Sequence, residues 1–341
     1  TSPMLSTAPS ACASGKRRSR PKGCGELLKR KKEDRGWRIE DRGSRSSILD
    51  LRSSVLLMMP LRKFTIHQPK TTAEASQMLA EYGDKGRLYA GGTELLLAMK
   101  HDLLRYEHLV DVKTIPDLNK IERKNGSLMI GGTATHRAIE RSPLVRANLP
   151  VLAEMETNVA NVRVRASGTL GGNLCFAEPH SDPATLLLAL GAKAHVRGNA
   201  GTKSLTIDEL IKGAYETSLA DDELLVAVEI PIPAKTERAA YLKFQLKERP
   251  TLGLALVLDI DGDQIKKAKA VVGSVSALPT QSDRCDGLLI GAKTQVEKQL
   301  GDAAEALAKA ADPVDDLEGS ADYKRHLIGV FLRRAFIKAL T

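Results

Sequence analysis

From Leu61 to the C-terminus, apolar positions switch between a period of two and a helical period, as they do when strands and helices follow one another. Phe64-Thr65-Ile66 reads as a short strand. Thr71-Thr72-Ala73-Glu74 is a capping box, and the helix it opens sets Met78, Leu79 and Tyr82 on one face, with Gly83 at its end. Arg87–Ala90 is the next strand, Gly91-Gly92 a break, Thr93–Lys100 a helix and Leu109–Val112 a third strand. Together they predict a small β-α-β-α-β unit.

A second unit begins near Ile121. Asn125-Gly126, set between Lys120–Lys124 and Ser127–Ile130, is a two-residue hairpin signal. Helices are expected at Thr135–Arg141 and Val151–Asn158. Asp182-Pro183 opens another that runs to Leu190, with Asp182 as N-cap and Gly191 closing the end. Strands follow at Ala192–Arg197, Ser204–Ile207 and Leu224–Ile230, and Pro231-Ile232-Pro233 marks a boundary. The last unit predicts three strands, Ala239–Leu246, Leu254–Ile260 and Lys267–Ser274, with a turn at Asp261-Gly262-Asp263. Helices are then expected at Ser282–Leu289, Gln295–Lys309 and Asp322–Leu340. This is an α+β unit on an antiparallel sheet.

Charge changes the picture only at the N-terminus. Residues 1–57 hold 14 Lys/Arg against 6 Asp/Glu, so most of the net charge of +9 lies there and the rest of the chain is nearly neutral. Lys16-Arg17-Arg18-Ser19-Arg20 and Lys29-Arg30-Lys31-Lys32 read as a nucleic-acid arm, as a targeting segment, or as disordered or upstream-translated sequence ahead of Met58 or Met59. The neutral remainder argues against a nucleic-acid partner. No stretch approaches the roughly 20 apolar residues of a membrane span. The cysteines (Cys12, Cys24, Cys175, Cys285) form no CxxC pair, and the seven histidines form no HxH or HExxH arrangement. No metal-ligand set is expected, and a reducing, cytoplasmic setting is the default.

Two glycine-rich segments carry the candidate chemistry. Gly91-Gly92-Thr93 lies between a strand and a helix, where free N–H groups and the helix dipole receive phosphate. Alone, such a segment is more often a tight turn than a site. Gly168-Thr169-Leu170-Gly171-Gly172-Asn173 offers backbone N–H groups and two polar side chains, a nest suited to a diphosphate. Asp182 follows as an exposed carboxylate, able either to cap its helix or to accept from ribose or ribityl hydroxyls. No GxGxxG or GxxxxGK[ST] turn occurs. Two phosphate-type loops favour a dinucleotide.

The segments Ala90–Lys100 and Gly168–Cys175, the latter continuing to Pro179 and Asp182, resemble in order and spacing the two FAD loops of the medium subunits of the xanthine dehydrogenase and aerobic carbon monoxide dehydrogenase family. The resemblance covers about residues 60–340. It implies a vanillyl-alcohol oxidase/p-cresol methylhydroxylase-type FAD-binding domain at 59–235, built of two α/β subdomains (59–118 and 119–235). A C-terminal α+β domain with a three-stranded antiparallel sheet would occupy 236–341, and the N-terminal extension 1–58. By position, it places Leu88, Tyr89, Ala90, Gly91, Gly92, Thr93, Glu94 and Leu95 at the first loop and Thr169, Gly171, Gly172 and Asn173 at the second. Ala160 is carried over as a further contact. Ser181 and Asp182 would bind the sugar or ribityl portion, Leu225 would pack near the isoalloxazine, and Lys243 would lie near the flavin ring or the adenine side.

The resemblance further implies an electron relay. Substrate would be hydroxylated at a molybdenum cofactor on a large partner subunit, and electrons would pass through two [2Fe–2S] clusters on a small partner. FAD here would deliver them to NAD, a quinone or oxygen, in a dimer of heterotrimers. No acid–base pair for substrate chemistry is found in the chain. Arg163-Val164-Arg165-Ala166 and Glu178 depart from the family's pattern around the second loop. Two other readings stand beside this one. A standalone FAD-dependent reductase or oxidase of the same fold, like UDP-N-acetylmuramate dehydrogenase, would need its own proton donor. A basic nucleic-acid-binding protein would owe its binding to residues 1–57.

Overall fold

The computed structural model describes residues 61–341; the basic extension at 1–58 lies outside the described residues. The first unit holds β1 (Thr65–His67), α1 (Thr72–Tyr82), β2 (Gly86–Tyr89), α2 (Leu95–Lys100) and β3 (His108–Asp111). Its sheet is wholly parallel, in the order β1-β3-β2. The Thr71 hydroxyl accepts from the Glu74 N–H at 3.1 Å, while Glu74 reaches back to the Lys70 N–H at 2.7 Å, a capping box slipped by one residue. Gly83 leaves the helix at φ +51°.

The second unit holds β4 (Ile121–Lys124), β5 (Ser127–Gly131), α3 (His136–Arg141), α4 (Pro143–Asn148), α5 (Pro150–Thr157), α6 (Val162–Ser167), α7 (Leu170–Phe176), α8 (Asp182–Ala189), β6 (Lys193–Gly198), β7 (Gly201–Thr206), α9 (Ile207–Leu210), β8 (Ile211–Gly213), β9 (Glu216–Thr217) and β10 (Leu224–Pro231). Asn125 and Gly126 both take positive φ, the type I′ turn their identities predict. The sheet runs β4-β5-β10-β6-β7 and every pairing is antiparallel. The two units thus differ in sheet type, parallel in the first and antiparallel in the second. A bulge between Leu225 and Ala227 breaks the β10–β6 register beside the cleft described below.

The third unit holds β11 (Glu237–Gln245), β12 (Pro250–Asp261), β13 (Gln264–Gly273), β14 (Thr280–Gln281), α10 (Asp283–Leu288), β15 (Gly291–Ala292), α11 (Lys293–Ala311) and α12 (Ala321–Leu340). The three long strands are antiparallel; β14 and β15 add two short strands at the far side of β13. Strand β12 is buried on both faces. Leu252, Leu254, Leu256 and Leu258 pack with α11 and α12 in one core, while Ala255 faces the other, where α8 lies. Double burial explains its run of apolar residues in place of an alternation.

Three expectations change. Helix α2 begins at Leu95, leaving Thr93 and Glu94 in the turn. The second glycine segment is a helix, α7, capped by Thr169, not an irregular nest. Helices α4 and α6 were not foreseen, since each is a short segment without a sustained period.

A cleft between two glycine segments

The two glycine segments touch. A Cβ on Gly91 would lie 2.3 Å from the Ser167 carbonyl oxygen, and one on Gly171 would lie 2.5 Å from that of Gly132. Only hydrogen fits at either position, so the glycines bring the first turn, the end of α6 and the start of α7 into backbone contact. Gly132 in turn meets Leu225, whose carbonyl oxygen is 2.3 Å from where its Cβ would stand. These contacts wall a cleft of about 810 Å³.

The segments differ in what they leave free. At the second, the Leu170 and Gly171 N–H groups donate to the carbonyls of Ala134 and Gly132, both at 3.0 Å. Those of Gly172 and Asn173 donate to the Thr169 hydroxyl and carbonyl. At the first, the N–H groups of Gly91, Gly92, Thr93 and Glu94 have no acceptor among the described residues. Gly92 sits at φ +71° over the Tyr89 ring, and the Lys113 ammonium lies 3.8 Å from that ring's centre on its way to the Ala90 carbonyl. The open row of amides belongs to the first segment, and the second is a rigid wall.

Of the expected residues, Leu88, Ala90, Gly91, Gly92, Thr93, Glu94, Leu95, Ala160, Thr169, Gly171, Gly172, Asn173, Ser181, Asp182 and Leu225 line the cleft. Tyr89 and Lys243 stand behind it. Asp182 is not exposed and is not the N-cap: Ser181 takes the cap position, and Asp182 is 3% accessible. Its carboxylate accepts from the Lys243 ammonium at 2.8 Å and from the Tyr241 hydroxyl at 2.7 Å. Burial pushes the Asp182 carboxyl up, and Lys243 opposes that. Lys243 also donates to the Asn158 carbonyl at 2.8 Å. It is a buried strut that ties the third unit to the second. Ser181 donates to the Asn173 side-chain oxygen at 2.7 Å, which joins α7 to the start of α8.

Several cleft residues escaped the sequence reading. Gly132 and Thr133 repeat the Gly-Gly-Thr order of the first segment directly after a strand, a signal present in the chain. Arg249, on the β11–β12 turn, pairs with Glu178 at 2.7 Å and Glu94 at 3.3 Å, and Tyr215 donates to Glu178 at 2.5 Å. This network spans all three units at the cleft mouth. Burial raises the Glu94 carboxyl, Arg249 lowers it, and the neighbouring Glu178 raises it again. His136 lies at the cleft floor against the buried Glu156. Sequence spacing gives no sign of either grouping.

The FAD binding domain in molybdopterin dehydrogenase matches residues 62–233, and the CO dehydrogenase flavoprotein C-terminal domain matches residues 243–339. The carbon monoxide dehydrogenase medium chain of Afipia carboxidovorans is 34% identical over 81% of this chain and 96% of its own. The chain belongs to the FAD-binding medium subunits of the carbon monoxide and xanthine dehydrogenase family. A xanthine dehydrogenase FAD-binding subunit of Escherichia coli is 25% identical over 80% of this chain and 95% of its own. Among solved structures, a Cu,Mo-CO dehydrogenase is 31% identical, with a TM-score of 0.79 over 82% of this chain and 99% of that one. The medium-subunit family makes this chain a flavoprotein component of an oxidoreductase, and FAD its cofactor. The cleft suits that group: its volume lies within the roughly 300–1,000 Å³ of cofactor pockets, and it presents unpartnered amides to anionic oxygens. Among the described residues, no group of three or more His, Cys, Asp or Glu is placed to hold a metal, and no helix is long and apolar enough to cross a membrane.

Proposed function

We propose that this medium subunit is the electron relay of a molybdenum hydroxylase complex, holding FAD in the cleft between the two glycine segments. The observation that carries the reading is the row of free N–H groups from Gly91 to Glu94 opening onto that cleft. Such a row binds a diphosphate through fixed dipoles. Leu88, Tyr89, Ala90 and Leu95 shape the turn that presents it, and Thr93 adds a hydroxyl. Thr169, Gly171, Gly172 and Asn173 form the opposite wall. Ser181 and Asp182 accept from sugar or ribityl hydroxyls, with Lys243 holding the Asp182 carboxyl in place. Leu225 packs on the isoalloxazine, and Ala160, at φ +40°, brings its backbone to the rim.

When bound, FAD supplies the interchange between one-electron and two-electron transfer; the chain supplies binding, orientation and exclusion of water. The complex comprises a large subunit with the molybdenum cofactor, a small subunit with two [2Fe–2S] clusters and this chain, assembled as a dimer of heterotrimers. Electrons leave to NAD, a quinone or oxygen. Likeness to medium chains over nearly their full length supports this assembly. The lobes that each carry one glycine segment fit the vanillyl-alcohol oxidase/p-cresol methylhydroxylase plan. On that plan 59–118 and 119–235 form the FAD domain and 236–341 the C-terminal domain. A cytoplasmic setting goes with the free thiols of Cys175 and Cys285.

The test is purification of the chain with its natural complex. Flavin absorbance together with two co-purifying subunits that carry molybdenum and iron is the expected result. A folded, flavin-free chain without partners would overturn the reading.

A further inference from the structure

We infer that His136 is an additional FAD-binding residue, a buried cation whose free ring edge faces an anionic oxygen of the cofactor at the junction of the two glycine segments. The inference rests on the reading that the cleft holds FAD.

Three features of the geometry carry it. The ring is 2% accessible, yet it lines the cleft. Its Nδ1 is committed to the Glu156 carboxylate at 2.8 Å, and among the described residues Nε2 makes no hydrogen bond. The ring's Cδ2, next to Nε2, lies 3.2 Å from where a Cβ on Gly168 would stand, and that same point is 3.5 Å from the Thr93 hydroxyl. The free edge is therefore turned toward the place where both segments meet.

Glu156 supplies the charge. It is fully buried, His136 is its hydrogen-bond partner, and its other oxygen has none. A buried carboxylate in that position is stable as an anion only beside a cation. Burial disfavours the imidazolium, but the Glu156 charge and hydrogen bond outweigh it and raise His136 above its ordinary value. The other facing charges are Asp182 on α8, itself paired with Lys243, which favours the imidazolium, and Arg165 on α6, which disfavours it. A raised cation keeps its charge below its ordinary value of about 6.5 and loses it as pH rises through the raised one. FAD affinity should fall over that same interval.

The experiment titrates the full chain, freed of flavin, with FAD by fluorescence quenching between pH 6 and pH 9, using wild type, His136→Gln and Glu156→Gln. Wild type should weaken as pH rises. His136→Gln should bind about tenfold or more weakly at pH 6 and show no such slope. In Glu156→Gln the slope should move to lower pH. ADP and riboflavin, titrated in parallel, show whether the slope follows the diphosphate or the flavin ring. A variant that does not fold is replaced by a measurement on wild type alone. Binding and protonation are reciprocal, so FAD should raise the pKa of the His136 imidazole followed by NMR. A wild type that binds FAD with no change in that pKa, or a folded His136→Gln with the wild-type affinity and slope, would overturn the role of His136. A folded wild type that fails to bind FAD at any pH would instead overturn the reading beneath it.

Discussion

The two glycine segments look alike as strings of residues and are opposites as structures. Gly91-Gly92-Thr93-Glu94 is a turn with four unpartnered amides; Leu170–Asn173 is the first turn of a capped helix whose amides are already bonded. Glycine lets backbones lie together in both, Gly91 against Ser167 and Gly171 against Gly132, but only the first also uses a positive φ, at Gly92, to turn its amides outward. The likeness in composition hid a division of labour: one segment to hold an anion, and one to hold the first segment still. Electrostatic binding needs such a division, because amides stabilise a charge best when they need not reorganise around it.

The comparison breaks most severely where the second wall is anchored. Asp182→Ala leaves the Lys243 ammonium and the Tyr241 hydroxyl buried without their acceptor. Losing one partner of a buried ion pair costs about 3–5 kcal/mol, and chemical denaturation of the full chain should show it. A loss near zero would mean that Lys243 swings out to solvent and that the strut is ornamental. Next comes Thr93→Asp, which puts a carboxylate into the open amide row. At about 4 Å and an effective dielectric of about 20, repulsion from a phosphate is about 4 kcal/mol, so FAD should bind about a thousandfold more weakly. Thermal unfolding of the FAD-free variant should stay at the wild-type temperature. Unchanged FAD affinity would move the diphosphate away from the first segment.

What the sequence disclosed follows the range of the interactions involved. Local signals were read correctly: the Thr71 cap, the Asn125-Gly126 hairpin and the Asp261-Gly262-Asp263 turn each depend on a few neighbouring residues. The three-unit order was legible too, and most of the expected cofactor residues line one cleft. Failures came where distant chain segments decide the outcome. Asp182 looked like an exposed cap because Tyr241 and Lys243, which bury it, arrive from the third unit. The glycines of α7 looked like a nest because the Gly132 and Ala134 carbonyls that occupy two of its amides come from the segment just after β5, far off in the sequence. Arg249 meets Glu94 across the cleft mouth, and no spacing rule connects a turn in one unit with a turn in another.

A smaller effect separates packing from binding at the second wall. In Gly171→Ala the new methyl must displace the Gly132 backbone, which lies 2.5 Å from its position. Overpacking of this kind costs about 1–3 kcal/mol, and for a chain of this size each kilocalorie lowers the melting temperature by about 2–4 °C. The loss should be similar with and without FAD, since no amide that faces the ligand changes. A drop seen only in the FAD-bound protein would show that the second segment touches the cofactor through its backbone after all.

The mildest test removes the cap from the wall. The Thr169 hydroxyl accepts from the Gly172 N–H at 3.1 Å and is the side-chain cap of α7. In Thr169→Ala that amide loses its acceptor and becomes free, as the amides of the first segment are. If the second segment is only a wall, the variant loses about 1 kcal/mol of stability, Thr169→Ser recovers it, and FAD affinity hardly moves. If the freed amide instead strengthens FAD binding while the fold weakens, the helix start lies within reach of the diphosphate. The division between the segments would then rest on a single hydrogen bond, since the cap alone would decide which of two similar glycine turns presents its amides to the ligand. Denaturation midpoints and FAD titrations of the same three proteins distinguish the two results.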